Sequence, residues 1–367
     1  MRVAVIGCGA MGAASGWRLK KRGAEVVCFD RYSPPHELGS THGQSRVTRT
    51  AYFEAPWYVP LLQETFPLWR ELEAESNEDL LTITGLVMIG KPGGEAVTAS
   101  QSAAKEYGLD VRVLDATELR KRYPGHIVGD GEIAVFDAQA GFVRLEPALT
   151  AMAQGLEVRR NTNVIRVEPR AEGIEVVTAA GGETFDAAVI ATGPWIKELA
   201  PFLPVKIERQ VLVWLAIQSG ADWFSPERFP VWMREEAIED DVVYGFPSLD
   251  GKSIKLARYH GGEMVDPDAV RRTATDADLD PLRLFVTKYL QGVTRHVTRS
   301  EVCLYTDTPD QHFAIGPLPE DPRVVILSAC SGHGFKFAPV VGEIAADLVL
   351  DGGTRRDISH FSLQRFT

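Results

Sequence analysis

Three glycines and one aspartate near the N-terminus have the types and the spacing of a dinucleotide-binding turn. Gly7, Gly9 and Gly12 follow an apolar run, and Asp30 ends the next apolar run. In such a motif the first glycine allows a tight turn, the second lets backbone N–H groups reach a pyrophosphate, and the third lets a helix pack closely on the strand. An acidic side chain about 20 residues further along binds the ribose hydroxyls. An ordinary glycine-rich turn leaves Asp30 unexplained, so the pattern predicts a bound dinucleotide and leaves NAD and FAD open.

The elements that must position these residues are a strand, a helix and a second strand. Apolar residues 3–6 predict the first strand, residues 11–22 predict a helix whose positive N-terminal end points at the phosphates, and residues 25–29 predict the second strand. The same order returns near the C-terminus, with a strand at 324–327, a glycine-containing loop and an apolar helix at about 339–350. We therefore expect the last part of the chain to complete the first domain.

The middle of the chain is rich in β patterns. Two strands are predicted at 164–167 and 174–177, and a third ends in an Ala-Thr-Gly triplet at Gly193, an ending that is common in FAD folds because it lets backbone approach the cofactor. Further β-rich segments predict an antiparallel sheet assembled from discontinuous pieces, namely 207–217, 242–246, 254–259 and 302–305.

Other local patterns fill the space between these blocks. Residues 31–52 are polar and are predicted to be a loop, and residues 80–89 and 133–136 are predicted strands. Helices are predicted at 58–75, at 96–107 and, with Asp115 as its N-cap, at 116–123.

Together these patterns predict an α/β fold of mixed α+β type. An FAD-binding, Rossmann-like domain is expected to carry an inserted antiparallel-sheet substrate domain. The expected FAD-binding domain comprises residues 1–79, 138–205 and 306–367, and the expected substrate (catalytic) domain comprises residues 80–137 and 206–305.

The overall charge argues against some classes of partner. The 367 residues include 39 basic and 50 acidic side chains, for a net charge of −11, which disfavours nucleic acid or an anionic membrane as a partner. An anionic substrate would need a local basic cluster. No stretch reaches the roughly 18 apolar residues of a membrane span, and four dispersed cysteines without a CxxC argue against a metal cage or a disulfide framework. A cytoplasmic, metal-free protein is expected.

Several longer blocks carry a resemblance to a known family. They are residues 34–49, 244–248, 255–260, 303–306, 309–313 and 331–337. In order and spacing these blocks resemble the monomeric sarcosine oxidase family, which includes N-methyltryptophan oxidase and peroxisomal pipecolate/sarcosine oxidase, and the similarity runs over nearly the whole chain.

The resemblance implies how a flavin would be held. It implies FAD attached covalently by a thioether at Cys303, although by its chemistry alone Cys303 equally fits a small buried hydrophobic residue. Arg46 resembles an arginine against the flavin ring, and His42 resembles a histidine near it. The remaining cofactor-binding positions are Gly7, Gly9, Gly12, Asp30, Arg31, Val164, Gly193, Gly332, Gly334, Phe335 and Lys336.

The resemblance also implies a catalytic set. Arg49 and Lys336 match an arginine and a lysine that hold the substrate carboxylate, and they supply the local basic cluster that a chain of negative charge requires. Lys255 matches a lysine beside the flavin where dioxygen reacts, and a fixed cation there would stabilise superoxide. Tyr244, His260 and Tyr305 match residues that line the substrate pocket.

The expected function is that of an FAD-dependent oxidase of a secondary-amine amino acid, such as sarcosine or another N-methyl amino acid. The substrate would leave as an imine that water hydrolyses, and dioxygen would be reduced to hydrogen peroxide. Two alternatives remain open: a flavin dehydrogenase of a cyclic or glycated amino acid, and a non-catalytic flavoprotein. The expected partners are a small amino acid and dioxygen, with no nucleic acid and no membrane, and the protein is expected to be a monomer.

Overall fold

The computed structural model describes residues 1–238 and 241–366, and within them it contains helices and strands in alternating blocks. The α-helices are α1 Ala10–Lys21, α2 Val59–Ser76, α3 Glu95–Tyr107, α4 Ala116–Arg122, α5 Leu145–Ala153, α6 Asp276–Tyr289 and α7 Ala338–Leu350. The strands are β1 Arg2–Ile6, β2 Glu25–Phe29, β3 Ser45–Thr48, β4 Leu81–Ile83, β5 Leu86–Gly90, β6 Val111–Asp115, β7 Ile133–Asp137, β8 Gly141–Arg144, β9 Glu157–Arg159, β10 Val164–Arg170, β11 Gly173–Thr178, β12 Gly181–Phe185, β13 Ala187–Ile190, β14 Lys206–Ile217, β15 Val231–Ile238, β16 Asp241–Gly245, β17 Ser253–Tyr259, β18 Glu263–Met264, β19 Val293–Asp307, β20 Ala314–Pro317 and β21 Val324–Ser328. Short 3-10 helices occur at Pro56–Tyr58, Gly193–Glu198, Ala221–Phe224, Phe335–Phe337, Ser359–Phe361 and Leu363–Phe366.

The first large sheet has six strands in the order β20-β21-β13-β1-β2-β9. The pairs from β21 to β9 are parallel, and β20 adds an antiparallel edge. Helices α1 and α7 pack against each other so closely that a Cβ at Gly342 would lie 2.5 Å from the Ala14 carbonyl oxygen. The two strand–glycine loop–helix units predicted at opposite ends of the chain therefore contribute strands to the same sheet and helices that pack together. The α/β prediction is confirmed.

The second large sheet has nine strands, in the order β18-β14-β17-β16-β15-β5-β7-β6 with β19 also paired to β14. It is antiparallel as predicted except for the parallel pair of β15 with β5. Helix α6 covers one of its faces, where Phe285 stacks on Trp232 with 5.6 Å between ring centroids. The opposite face turns toward the first sheet and carries four of the predicted site residues, namely Tyr244, Lys255, Cys303 and Tyr305.

Several local predictions are confirmed. Helices α2, α3 and α4 match their patterns within a few residues, and the Asp115 carboxylate caps α4 by accepting the Glu118 N–H at 2.8 Å. Strands β10 and β11 and the buried strand β13 follow in the predicted order, and β12, which was not predicted, completes the meander. The strands of the nine-stranded sheet come from residues 86–137 and 206–307. The exact division into two domains stays a prediction.

Other local predictions are wrong. The loop expected at 31–52 contains β3, which exists because it pairs with β8 from a distant segment. The short strands expected at 80–89 are, by contrast, confirmed as β4 and β5, which are separated at Gly85, whose φ of 74° favours a turn. Strand β19 extends over 15 residues, well beyond the four predicted. Helix α6 was not predicted, although Thr275 and Asp278 form a capping box at its start.

Among the residues that the structure describes, none of the helices is both long enough and apolar enough to span a bilayer.

Candidate active site

An elongated cavity lies between the two large sheets. On one side it is lined by residues at the carboxyl ends of parallel strands, among them Ile6, Asp30 and Ser328. On the other side it is lined by residues of the second sheet, including Tyr244 and Tyr305. The carboxyl edge of a parallel sheet is where such folds bind ligands.

The N-terminal glycine turn forms one end of this cavity. Gly7 and Gly9 line it, and Gly7 has a φ of 90°. A Cβ at Gly7 would lie 2.4 Å from the Ala191 carbonyl oxygen, and one at Gly12 would lie 1.7 Å from the Gly7 carbonyl oxygen. Gly12 is thus required for packing of α1 on the turn, as predicted, and its backbone does not line the cavity.

Asp30 is fixed at the edge of the same end. Its carboxylate accepts the backbone N–H groups of Cys8 and Tyr32, both at 2.8 Å, and it is 6% exposed. Arg31 beside it donates to the Asn163 side chain at 2.9 Å and pairs with Glu198. All of these residues except Cys8 line the cavity, as do Val164 and Gly193.

The two predicted carboxylate-binding cations are brought together at the other end. Arg49 is 2% exposed and Lys336 is 5% exposed, and both line the cavity. Both lie close to one aromatic ring: the Arg49 guanidinium carbon lies 4.2 Å from the Tyr52 ring centroid, and Lys336 Nζ lies 5.2 Å from it. Surface placement of either cation is excluded.

Arg49 is paired with a buried carboxylate, Glu54, that was not predicted from the sequence. Glu54 accepts two hydrogen bonds from Arg49 Nη2 at 2.5 Å and one from the Tyr259 hydroxyl at 3.0 Å. Burial opposes its ionisation, but the charges of Arg49, His333 and Lys336 outweigh burial and lower the pKa of the Glu54 carboxyl to about 2. The guanidinium therefore already holds a carboxylate in this cavity.

Lys336 is less well paired. Its ammonium donates to the His333 carbonyl at 2.7 Å and lies 3.5 Å from the Tyr52 hydroxyl. Burial and the nearby Arg49 charge lower the pKa of Lys336 to about 7, although Glu54 opposes them.

Strand alternation places the other predicted catalytic residues on one sheet face. Tyr305 and Cys303 are two residues apart on β19, and Lys255 on β17 shares its face with Tyr259 four residues later. Tyr244 on β16 is paired with Ala257, which belongs to that same face. Tyr244, Tyr259 and Tyr305 line the cavity, whereas Cys303 and Lys255 are buried and are not among its lining residues. Tyr259 was not predicted, although its spacing from Lys255 on a strand could have identified it.

Cys303 lies beside a cation. Its Sγ is 3.3 Å from Arg46 Nη2 and 3.5 Å from the Ser40 carbonyl oxygen. Arg46 lines the cavity. His42 Nδ1 lies 3.0 Å from a carboxylate oxygen of Glu301, and His42 is not among the lining residues.

Lys255 is held within the wall of the cavity. Its ammonium donates to the carbonyl oxygens of Gly43 and Ser45, both at 2.6 Å, and lies 4.5 Å from the Phe246 ring centroid. Burial, together with the charge of Arg46, lowers the pKa of Lys255 well below its ordinary value.

The C-terminal glycine loop forms the remaining wall. Gly332, Gly334 and Phe335 line the cavity, and so does His333. His333 Nε2 lies 3.0 Å from the Gln311 carbonyl oxygen and Nδ1 lies 2.7 Å from the Tyr52 hydroxyl. A carbonyl can only accept, so Nε2 carries the proton and Nδ1 accepts from Tyr52. Burial lowers the pKa of His333 to about 3, which keeps the ring neutral.

His260 lies behind this loop and does not line the cavity. Its Nδ1 is 3.0 Å from Glu208 Oε2 and 3.9 Å from Asp307 Oδ2, and its ring meets the Tyr305 ring edge-on at 5.4 Å. Within the described part of the chain, Glu208, His260 and Asp307 are the group whose ligand atoms lie close enough for a metal ion, within 4.8 Å of one another. All four cysteines are free thiols.

The residues present fit FAD. The glycine turn, where a Cβ would collide with backbone, forms one end of the cavity. Arg49 and Lys336 line the other end of the same cavity. The dinucleotide would lie against Gly7, Gly9 and Asp30, and the flavin ring would lie near Arg46 and the loop at Gly332.

Comparisons with known proteins agree with this assignment. The family of FAD dependent oxidoreductases known as DAO matches residues 2–348. The chain is 38% identical over 373 residues to a monomeric sarcosine oxidase of Streptomyces avermitilis, covering 99% of this chain and 97% of that protein. It is 36% identical over 370 residues to an N-methyl-L-tryptophan oxidase of Yersinia pestis, covering 99% and 98%. A glycine oxidase structure from Geobacillus kaustophilus superposes with a TM-score of 0.83 at 20% identity, covering 99% of each chain, which shows a shared fold. The chain therefore belongs to the DAO family of FAD-dependent oxidoreductases.

Proposed function

We propose that the protein is an FAD-dependent oxidase of a small secondary-amine amino acid, such as sarcosine or another N-methyl amino acid. The observation that carries this proposal is the buried pair Arg49 and Lys336 in the same cavity as the dinucleotide turn. The names of the curated relatives support the substrate class. When bound, the flavin would accept a hydride equivalent from the carbon next to the substrate nitrogen, and dioxygen would then be reduced to hydrogen peroxide.

Carboxylate binding is the task of the two cations. The substrate carboxylate would replace Glu54 on the Arg49 guanidinium, whose planar fork suits a bidentate partner. Lys336, whose Nζ lies 5.2 Å from the Tyr52 ring centroid, would add a point charge. The amino acid would thus be held in one orientation, with its amine directed toward the tyrosines of the second sheet.

Covalent attachment of the flavin at Cys303 is a second part of the proposal. The Arg46 guanidinium 3.3 Å from Sγ would stabilise the thiolate that such a bond requires. Denaturation in acid should leave the flavin on the natural protein and release it from Cys303→Ser. Quantitative release from well-loaded natural protein would contradict the assignment.

Dioxygen as the acceptor is the third part. Lys255 is a buried amine within the cavity wall whose pKa is lowered by burial, and the Arg46 guanidinium, which lines the cavity nearby, is a permanent positive charge that would stabilise superoxide. An oxygen-uptake assay separates this proposal from a flavin dehydrogenase of a cyclic or glycated amino acid. The cytoplasmic location and the monomeric state stay predictions from the sequence.

The proposed carboxylate site is tested by Arg49→Ala. Loss of a buried charge-assisted pair costs about 1.5–3 kcal/mol, so we expect the Michaelis constant to rise roughly 10- to 100-fold while flavin stays bound. Arg22→Ala is the control, because Arg22 makes ion pairs at the protein surface with Asp347 and Asp351. An unchanged Michaelis constant in Arg49→Ala would remove Arg49 from the site, and failure of all N-methyl and cyclic amino acids to bleach the flavin without oxygen would favour a non-catalytic flavoprotein.

A further inference from the structure

The segment that carries the proposed carboxylate site lies outside the helices and strands. Strand β3 ends at Thr48, and the next element, a 3-10 helix, begins at Pro56. Arg49, Tyr52 and Glu54 lie between them. Since no regular backbone pairing holds this segment, other contacts must set the positions of the three side chains.

A buried carboxylate that the proposed function does not use holds the start of this segment. Asp137 is the last residue of β7 and is 1% exposed. Its Oδ2 accepts the Thr50 N–H at 2.6 Å, the Thr50 hydroxyl at 2.9 Å and the Ala51 N–H at 3.0 Å. Its Oδ1 accepts the Gln139 N–H at 3.0 Å. The hydrogen-bonding capacity of the carboxylate is thus directed mainly at the segment that it fixes.

Asp137 acts at the point where strand pairing ends. Strand β3 pairs with β8 as far as Thr48 and Gly141. Beyond this pair, the carboxylate of Asp137, which lies just before Gly141 in the chain, accepts the next N–H groups. Because β7 belongs to the nine-stranded sheet, Asp137 ties the segment to the sheet that carries Tyr244 and Tyr305.

The held segment in turn holds the Arg49 guanidinium. Arg49 Nη1 donates to the Ala51 carbonyl oxygen at 3.2 Å. The rings of Tyr52 and Phe53 have their centroids 4.2 and 4.3 Å from the guanidinium carbon. These contacts do not involve Glu54, so they are available to keep the guanidinium oriented when a substrate carboxylate takes the place of Glu54.

We propose that Asp137 is a positioning residue for carboxylate recognition by Arg49. This role rests on the proposed function and deepens it. Asp137 fixes Ala51, and Ala51 together with the two aromatic rings fixes the guanidinium, so the fork meets the substrate carboxylate without first having to be ordered. An asparagine cannot do the same, because an amide has one acceptor oxygen and its NH2 group would face one of the N–H donors.

Ligand binding to the flavin-loaded protein tests this role. The probe is pyrrole-2-carboxylate, which has no saturated carbon next to its nitrogen and is therefore not oxidised, and its binding is followed by flavin absorbance. We expect Asp137→Asn to raise its dissociation constant roughly tenfold, because a displaced guanidinium meets the carboxylate poorly. The Michaelis constant of sarcosine should rise by a similar factor. The limiting rate of anaerobic flavin reduction should stay within about twofold, because carboxylate binding is lost equally from the ground state and the transition state.

Asp250→Asn is the matched control. Asp250 is also a carboxylate that organises a turn, the one between β16 and β17, where it accepts the N–H groups of Lys252 and Ser253, both at 2.8 Å, and the Ser253 hydroxyl at 2.8 Å. Asp250 is not among the residues that line the cavity, so Asp250→Asn should leave the dissociation constant unchanged. An unchanged dissociation constant in Asp137→Asn, or an equal rise in both variants, would overturn the proposal.

A double-mutant cycle separates positioning of Arg49 from general loosening of the fold. If Asp137 acts through Arg49, Asp137→Asn should change the dissociation constant by less than about twofold in the Arg49→Ala background. Equal fold-changes in the two backgrounds would show that Asp137 only stabilises the fold, and would overturn the proposal. Arg49→Ala alone reports on the proposed function, so its failure is distinguishable from the failure of Asp137→Asn to affect a site that needs Arg49.

A milder variant keeps the test decisive if Asp137→Asn binds flavin poorly. Thr50→Val has nearly the same shape and removes one of the three hydrogen bonds to Asp137 Oδ2. The dissociation constant should rise at least about twofold, which is the lower end of what one hydrogen bond contributes. An unchanged value in flavin-loaded Thr50→Val would contradict the positioning role.

Discussion

At the scale of single residues, the cavity contains an ion pair, Arg49 with Glu54, in which a substrate carboxylate could take the place of Glu54. Arg49 is neutralised by Glu54, whereas the Lys336 ammonium donates to the His333 carbonyl and lies 3.5 Å from the Tyr52 hydroxyl. The sequence placed both cations at the site through the resemblance, but it gave no sign of Glu54, because a single acidic residue five positions after an arginine in a loop has no motif. Only the folded chain shows that the anion site is filled by the protein itself.

The pH dependence of carboxylate binding follows from Lys336. Its pKa of about 7 without ligand should rise when a carboxylate lies beside the ammonium, so binding above that pH takes up a proton and weakens as the pH rises. We expect the dissociation constant of pyrrole-2-carboxylate, followed by flavin absorbance, to increase by up to about tenfold per pH unit above pH 7. Lys336→Arg should remove this slope, because arginine stays charged. The measurement compares pH 6 and pH 9, which lie about one to two units on either side of the pKa of Lys336. The same affinity at both pH values in the natural protein would contradict the role of Lys336.

At the scale of elements, the sequence predicted the helices and strands whose formation depends mainly on residues close by in the chain. The glycine turn, α1, the capped helix α4 and strand β13 before the Ala-Thr-Gly triplet depend on neighbours in sequence, and they were found. Strand β3 depends on pairing with β8 almost 100 positions later, and the full length of β19 depends on pairing with β14, so neither could be predicted from composition. The site residues on β16, β17 and β19 share a face because of that long-range register.

The C-terminal loop offers a matched pair of glycine substitutions. Gly332 and Gly352 have nearly equal φ values of 74° and 73°, but a Cβ at Gly332 would lie 2.9 Å from Tyr305 Cε2 whereas a Cβ at Gly352 meets nothing within 4 Å. Both alanine variants should lose roughly 1 kcal/mol of stability through the left-handed backbone. Only Gly332→Ala should also lose activity and alter the flavin spectrum. Equal activity in the two variants would show that the close approach at Gly332 has no functional consequence.

At the scale of the whole molecule, the two ends of the chain build the site together. Helices α1 and α7 pack against each other, which sets the loop before α7 beside the turn before α1. The nine-stranded sheet then closes the cavity from the opposite side. The chain has a net charge of −11, but Arg49 and Lys336 are buried in the cavity, away from the acidic side chains at the surface. The site can therefore be basic although the whole chain is acidic.

Acid stability of the molecule should depend on a buried histidine remote from the cavity. His126 is 4% exposed and stacks on Phe229 with 4.6 Å between centroids. Burial, with a smaller contribution from Arg234, lowers its pKa from 6.5 to about 3. The unfolded chain therefore binds one more proton than the folded chain between these pH values, so stability is full above pH 6.5 and falls as the pH drops toward 3, by about 1.4 kcal/mol per unit for one proton.

Urea unfolding at several pH values measures this contribution. His126→Phe keeps the stacked ring and removes a side chain whose Nε2 has no hydrogen-bond partner among the described residues, so the variant should fold and should lose stability less steeply in acid, by about one proton. The slope that remains should include His333, whose pKa is also lowered to about 3. Replacement of the exposed His296 is the control and should leave the slope unchanged. If His126→Phe and the control lose stability in acid as steeply as the natural protein, the buried imidazole does not control acid unfolding, and the carboxylates paired in the folded state must account for it.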